Sequence, residues 1–312
     1  MASSRQLKGK IRAVRNIGQI TKAMQMVAAA KMRKSQEVAL NARPYAKKSF
    51  ALLLHLLKQS NGEETQSVYM KRNNSKKTAL VVITSDKGLA GSFNSSVLRG
   101  AYKFYEENNQ PDIIAVGKKG RDFFKARGAT IATEFFQFSD IATYVDIKPL
   151  ADWIGHAYET QQYGKIVVCS NQFVSALAQK VEIRQILPLE IAALEQTIQG
   201  IVPKTGKYSD IDRQSLGEGG ASEKDMSFVL EPSREEILKS LVRNLLQVEI
   251  AYLVFESNAS EHSSRMVAMK SATENANRLK DELTLALNKA RQAAITQELT
   301  EISTAKEALT SE

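Results

Sequence analysis

Asp86 and Lys87 stand side by side directly after the apolar run Thr78-Ala79-Leu80-Val81-Val82-Ile83-Thr84. An acid and an amine at the end of a strand are where a proton-transfer pair would sit. Capping of the following loop is the simpler role for the same residues. Gly88-Leu89-Ala90-Gly91-Ser92 comes next, in the place of a phosphate-cradling loop, but lacks the Gly-Lys-Ser/Thr ending of a P-loop. Gly117-Lys118-Lys119-Gly120 follows a second apolar run, Ile113-Ile114-Ala115-Val116, and holds only part of such a pattern. Turns between strand and helix account for both glycine pairs, and a bound nucleotide is the alternative. His55, His156 and His262 are scattered, with no carboxylate or cysteine at metal-ligand spacing. Cys169, the only cysteine, lies in the apolar run Ile166-Val167-Val168-Cys169, which predicts a buried strand thiol and excludes an internal disulfide. No catalytic, cofactor-binding or metal-binding residue is assigned.

The remaining chemistry is charge. Over 312 residues the net charge is +9, and it is concentrated at one end. Residues 1–60 carry Arg5, Lys8, Lys10, Arg12, Arg15, Lys22, Lys31, Arg33, Lys34, Arg43, Lys47, Lys48 and Lys58 against the single acid Glu37. Such a segment calls for an anionic partner, whether nucleic acid, lipid surface or acidic protein. Residues 1–44 contain no aromatic side chain on which bases would stack, and no nucleic-acid module is present. A DNA-binding coiled coil therefore stands as the alternative reading. No apolar run reaches 18 residues, so no membrane-spanning helix is expected.

These residues must be carried by elements of contrasting length. At the N-terminus, Ser3 and Gln6 form a capping box. Leu7, Ile11, Val14, Ile17, Ile20, Met24 and Val27 then recur every three or four positions, predicting one long helix with an apolar stripe. Pro44 is expected to bend it. The stripe resumes at Leu52, Leu53, Leu56 and Leu57, stops at Asn61-Gly62, and the polar stretch 63–77 reads as a linker. Strands are expected at 78–84, 113–116, 130–136, 165–170 and 181–187. Helices are expected at 95–107, 118–126, 140–161 and 173–178. That alternation predicts a mostly parallel α/β (Rossmann-like) sheet. Residues 202–225 are rich in Gly, Ser and charge and read as a mobile loop, with 226–230 as a further edge strand.

The last segment is the most informative. Ser233 and Glu236 form a second capping box after Pro232, and no glycine occurs from Ala221 onward. Ile237, Leu241, Leu245, Val248, Tyr252, Phe255, Ala259, His262, Met266, Met269, Thr273, Ala276, Lys280, Leu283, Leu287, Ala290 and Ala294 step by three or four throughout. That repeat is a coiled-coil seam. At about 1.5 Å per residue the helix reaches roughly 100 Å. The N-terminal helix is its only long counterpart in the chain, so the expected fold is an antiparallel coiled coil of the two termini around a central α/β domain. The divisions are 1–60, 76–201, 202–231 and 232–312. Small and polar seam residues (Ala28, Ala29, Ala30, Ala272, Ala276, His262, Thr273, Lys280) imply close but weakly held helices. The stretch 293–309 is longer than the N-terminal helix can cover.

Two stretches go beyond pattern. Lys8-Gly9-Lys10-Ile11-Arg12, continuing through Ile20-Thr21-Lys22-Ala23-Met24-Gln25-Met26-Val27-Ala28-Ala29-Ala30-Lys31-Met32-Arg33-Lys34, resembles the N-terminal helix of F-type ATP synthase γ subunits. Ser260-Glu261-His262-Ser263-Ser264-Arg265-Met266-Val267-Ala268-Met269-Lys270-Ser271-Ala272-Thr273-Glu274-Asn275-Ala276, with 288–299, resembles that family's C-terminal signature. Residues 85–94 look like its strand-end loop. The resemblance covers nearly the whole chain in order.

The resemblance implies a rotating central-stalk shaft without a catalytic site or cofactor. The implied partners are three α and three β subunits, an ε subunit and the membrane c-ring. Neither nucleic acid nor direct membrane insertion is implied, and the location is peripheral, on the cytoplasmic face of a bacterial inner membrane. Carried over by motif, Met24, Lys31, Arg33 and Arg265 lie near acidic β-subunit loops. Arg291, Gln292, Thr296, Glu298 and Thr300 belong to an upper contact. The family's light-regulated members carry a cysteine pair, and Cys169 alone makes such regulation unexpected here.

Overall fold

The computed structural model describes residues 4–58, 67–136, 138, 142–175, 178–190, 192 and 233–310. The expected Ser3 cap, the 202–225 loop and the 226–230 strand lie outside the described residues. Helix α1 spans Ser4–Lys58 and continues through Pro44. The middle of the chain supplies β1 (Thr78–Ile83), α2 (Phe93–Glu107), β2 (Asp112–Val116), α3 (Lys118–Lys125), β3 (Ile131–Phe135), α4 (Tyr144–Glu159), β4 (Lys165–Phe173) and β5 (Gln179–Leu187). Helix α5 spans Arg234–Thr310. The chain divides into two compact units, one of residues 1–29 with 265–312 and one of residues 30–264.

In the larger unit the sheet order is β3-β2-β1-β4-β5. β1 pairs in parallel with β2 (Leu80 beside Ile113) and with β4 (Leu80 beside Val167), and β5 returns antiparallel to β4 (Cys169 beside Ile183). The central strands are apolar on both faces because both faces are covered. Ala79, Val81, Ile83, Ile114, Val116, Ile166 and Val168 pack with Leu53 and Leu56 of α1, with α4 and with α5. Leu80, Val82, Ile113, Ala115, Val167 and Cys169 face α2 and α3. Burial pushes the Cys169 thiol up to about 12.

Two expectations for this unit fail. The described residues of 173–178 are not helical: Ser175 N–H donates to Ala178 O at 2.9 Å and Ala178 N–H returns to Ser175 O at 3.3 Å, where β4 gives way to β5. Cross-strand pairing as far as Phe173–Gln179 overrides the weak local preference of those few residues. The second concerns the polar linker. Tyr69 is buried, and its hydroxyl donates to Glu159 at 2.5 Å; Tyr158 reaches back to Lys71 O at 2.7 Å. Residues 67–77 are thus tied to the end of α4. Burial and then the Glu159 carboxylate both raise the Tyr69 phenol above its ordinary value.

α4 starts later than its expected boundary because Thr143 caps it. Asp146 N–H donates to the Thr143 hydroxyl at 3.4 Å, and the Asp146 carboxylate accepts from Thr143 N–H at 2.9 Å. At α5 the expected Ser233 cap forms, its hydroxyl accepting from Glu236 N–H at 3.3 Å. From Glu249 to Ser257 every residue of α5 is buried, so here the helix has no outer face and the simple stripe gives way to enclosure. Glu249 and Glu256 are among them, and their field reaches Arg184 of β5, which also pairs with Glu182 at 2.8 Å. Burial alone disfavours the Arg184 charge, but these carboxylates outweigh it and raise its pKa.

Candidate partner-contact surface

The smaller unit is a pair of helical segments. Thr21 and Thr273 hydroxyls lie 2.8 Å apart, and a Cβ placed on Gly18 would meet the Ala276 Cβ at 3.5 Å. One step forward on α1 therefore matches one step back on α5, an antiparallel register. Continued along the helices, it sets Ile11 opposite Leu283, Leu7 opposite Leu287 and Ser4 opposite Ala290. Burial follows that register. Within this unit Leu7, Ile11, Val14, Gly18, Thr21, Gln25 and Ala28 of α1, which alternate steps of four and three, are buried or half-buried, and Met24 and Ala29 beside them are half-buried as well. On α5 the matching positions Met269, Thr273, Ala276, Lys280, Leu283, Leu287 and Ala290 are buried or half-buried, and at the start of the segment so are residues 265–268 and Ala272.

The α1 stripe expected from apolarity is thus displaced. Ile17, Ile20 and Val27 are more than half exposed, while the small or polar Gly18, Thr21 and Ala28 form the seam. A full Leu or Ile side chain in a seam contributes about 1.5–3 kcal/mol of burial; Gly, Thr and Ala contribute less but let the backbones close. Around Gly18, Thr21 and Ala28 the seam is close and weakly held, and the aliphatic side chains of Ile17, Ile20 and Val27 are left outside.

Outward, the α1 segment exposes Arg5, Lys8, Lys10, Arg12, Arg15 and Lys22 with no carboxylate among its residues. Ile17, Ile20, Met26 and Val27 are exposed among those cations. A face of cations with aliphatic side chains between them suits an acidic protein surface with apolar contacts. The α5 segment differs, with Glu274, Asp281 and Glu282 interspersed with Lys270, Arg278 and Lys289.

Beyond Ala290, residues 291–304 are exposed on every side, Ala294 included, which ends the expected seam one step early. Ile295, Leu299 and Ile302 are exposed along one line of this stretch. Hydroxyls of Thr296, Thr300 and Thr304 each donate to the carbonyl four residues back, at 3.0, 2.8 and 2.8 Å.

Of the residues carried over by motif, Arg291, Gln292, Thr296, Glu298 and Thr300 stand on this exposed stretch, Met24 and Arg265 are half-buried in the same unit, and Lys31 (half-buried) and Arg33 (exposed) belong to the larger unit. The apolar residues exposed between the α1 cations escaped sequence reading, because apolarity alone cannot tell a seam position from an outward one. The alternating steps of four and three through Gly18 and Thr21 were the available signal.

Of the candidates for chemistry, Asp86, Lys87, Gly117, Lys118 and His262 meet in one place, whereas His156 does not join them and the His55 side chain lies outside the described residues. With Ser257 and Glu261 they line an open cleft of about 440 Å³ at the C-terminal ends of β1 and β2. Doubly wound sheets bind ligands at such ends. Here, however, the donors at the start of α3 are spent on the chain itself. Lys118 N–H donates to the Asp86 carboxylate at 2.9 Å, Lys119 N–H to Ser85 O at 3.2 Å and Gly120 N–H to the Thr84 hydroxyl at 2.8 Å. Asp86 is thus the loop cap that the sequence suggested. Gly117 holds φ +93° within this corner. The Gly88 loop is closed in the same way: Asn94 accepts from Ser85 N–H at 3.0 Å and donates to the Ser85 hydroxyl at 2.7 Å. His262 is buried, and no group of His, Cys, Asp or Glu fit to hold a metal occurs among the described residues.

A two-helix seam of the chain's ends, a doubly wound sheet and a helical end exposed all round define a stalk-type subunit, one that works through contact with other chains. The ATP synthase family model matches residues 3–309, and the chain belongs to this family, with the γ chains. It is 36% identical to the ATP synthase gamma chain of Chloroflexus aurantiacus, covering 100% of both chains, and 34% identical to that of Roseiflexus castenholzii, covering 99% of both. Among solved structures it resembles a chain of the Tetrahymena thermophila mitochondrial ATP synthase central stalk and c-ring, at 26% identity and TM-score 0.54, covering 81% of this chain and 99% of that one. A chain of the Euglena gracilis mitochondrial ATP synthase shares the fold at 19% identity and TM-score 0.62, covering 98% and 94%. No described helix is long and apolar enough to cross a membrane.

Proposed function

We propose that this chain is the central rotor shaft of an F-type ATP synthase, turning within three α and three β subunits and coupling ion-driven rotation of a c-ring to ATP synthesis at the β subunits. The observation that carries this reading is the inequality of the two helical faces. α1 presents cations and aliphatic side chains, α5 presents mixed charge, and 291–304 presents an uncovered end. Three equivalent partners around such a pair touch three different surfaces at once. Rotation exchanges those surfaces, and differential contact is what shifts a conformational equilibrium. Met24, Lys31, Arg33 and Arg265 serve the contact with acidic loops; Arg291, Gln292, Thr296, Glu298 and Thr300 serve the upper one. The parts 1–60 and 232–312 supply the shaft, and 76–201 with an ε subunit supplies the foot on the c-ring. The complex sits peripherally on the cytoplasmic face of a bacterial membrane.

Reconstitution tests this. Co-expression with α and β subunits should yield a complex whose ATP hydrolysis drives stepwise rotation of a bead attached to the 76–201 domain. A chain that never associates with those subunits, or a complex that hydrolyses ATP with the bead stationary, would overturn the reading. Steeply salt-dependent DNA binding, lost with Lys31→Ala and Arg33→Ala, would favour the alternative instead.

A further inference from the structure

We propose that the outer edge of β3 is a docking site for an extended, acidic segment of a partner polypeptide, which adds a strand to the sheet. β3 ends the sheet order, and no strand lies on its far side among the described residues. A shallow groove of about 470 Å³ runs there, lined by Arg121 and Lys125 of α3 and by Ile131, Ala132, Thr133 and Glu134. Side chains alternate between the faces of a strand. Four consecutive residues can line one groove only if it follows the edge, where the backbone itself is accessible.

The hydrogen-bond pattern assigns the outward groups. Gly117 N–H donates to Phe135 O, so Phe135 faces β2 and its neighbour Glu134 directs its backbone groups the other way. The pairing of β2 with β3 shifts between Ile113 and Ile114, which places an extra residue at Ala132 and leaves 133–135 as the regular stretch. A short stretch of this kind suits reversible addition of a few residues.

Charge selects the occupant. Lys118, Lys119, Arg121, Lys125 and Arg127 lie within ten residues, opposed by Asp122 and by Glu134. Arg121 and Lys125 are one helical turn apart, on the side of α3 that borders the groove. Arg121 is held in place, 2.8 Å from Asp122 and 4.8 Å from the Phe136 ring centroid. A strand carrying Glu or Asp at alternate positions would meet these cations along one face while its backbone pairs with Glu134. A polyanion without backbone amides would meet the charge but not the ladder.

The experiment uses the full chain and a ten-residue peptide alternating Glu with Val. Anisotropy should report saturable binding, and amide exchange should slow at Glu134. Methylating alternate peptide amides, which removes ladder donors without touching the protein, should weaken binding at least tenfold. Glu134→Pro should do the same, whereas Glu134→Gln should bind at least as well as the parent, and Lys125→Glu should lose several-fold. Equal binding of the methylated peptide, unchanged exchange at Glu134, or full displacement by heparin would overturn the proposal. Each would leave only non-specific attraction to a basic helix.

Discussion

The hydroxyls of Thr21 and Thr273 meet at 2.8 Å across the two-helix seam, yet each is also bonded to its own helix. Thr21 donates to Gly18 O at 3.1 Å and Thr273 to Met269 O at 2.8 Å. Two hydroxyl protons cannot serve three bonds at once, so the cross-helix bond exists only when one threonine releases its own carbonyl. Thr21→Val or Thr273→Val alone should cost up to about 1 kcal/mol, because the cross-helix bond is lost while the remaining hydroxyl keeps only the carbonyl of its own helix. The double valine variant should cost less than the sum, since no hydroxyl is then left behind. Urea titration of the three variants checks this, and strict additivity would show the contact to be incidental.

Gly18 faces Ala276 across the helix pair. A methyl on Gly18 would make an ordinary 3.5 Å contact with Ala276. Gly18→Ala should therefore stabilise by up to about 1 kcal/mol through helix propensity. Gly18→Leu should instead force the backbones apart, with a cost of about 1–3 kcal/mol, and Ala276→Gly should restore part of it. Thermal melts of the single and paired variants distinguish steric from local effects.

Gly117 is fixed by a different constraint. At φ +93° an added Cβ would fall 2.1 Å from Thr84 O, which is backbone and cannot move aside. Gly117→Ala should cost several kcal/mol, of the order of 3 or more, by strain and overlap together. Gly128 also has positive φ, +72°, but nothing lies within 4 Å of its would-be Cβ. Gly128→Ala should cost only about 1 kcal/mol. Equal losses in denaturant titrations would contradict the crowding at Gly117.

Cys169 lies beneath α2, its thiol 3.7 Å from Val97 O. Burial raises the folded thiol to about 12, against about 8.5 in an unfolded chain. The unfolded state therefore releases this proton first as pH rises. Stability contributed by the neutral thiol is complete below about pH 8.5 and is lost progressively from there to about 12, at up to about 1.4 kcal/mol per pH unit. Cys169→Ala should flatten that part of the pH–stability curve, and maleimide should label the native thiol far more slowly than the denatured one.

What could be read from sequence follows physical locality. β1, β2 and β4 were legible because strands covered on both faces are apolar throughout, as Leu80, Val81 and Val82 are. The C-terminal seam from Met269 to Ala290 was legible because its repeat is long. The N-terminal seam was not, because Gly18 and Thr21 are chosen for closeness, which hydropathy does not record. The β4–β5 turn depends on cross-strand pairing as far as Phe173–Gln179 rather than on local preference, and the anchoring of Tyr69 depends on Glu159, a partner far along the chain. At the cleft, the sequence placed Asp86 at a strand end, but only the fold reveals that Lys118 N–H already occupies its carboxylate.

The register set by Thr21–Thr273 predicts where α5 can be shortened. Ser4 falls opposite Ala290, and every residue from Arg291 to Thr304 is exposed, so removing 291–312 takes away no seam contact among the described side chains. The melting midpoint should stay within about 2 °C of the parent, as for a surface change. Coupling in a reconstituted complex should nevertheless fall, because the upper contact is gone. Removing 277–312 instead strips the positions opposite Leu7, Ile11 and Val14. Those residues would then face water, and the start of α1, no longer packed, should fray. Trypsin reads the difference directly, since Arg5, Lys8, Lys10, Arg12 and Arg15 all lie there. Cleavage in that stretch should be slow in the 291–312 deletion and fast in the 277–312 deletion. Equal rates would mean that the helices are out of this register.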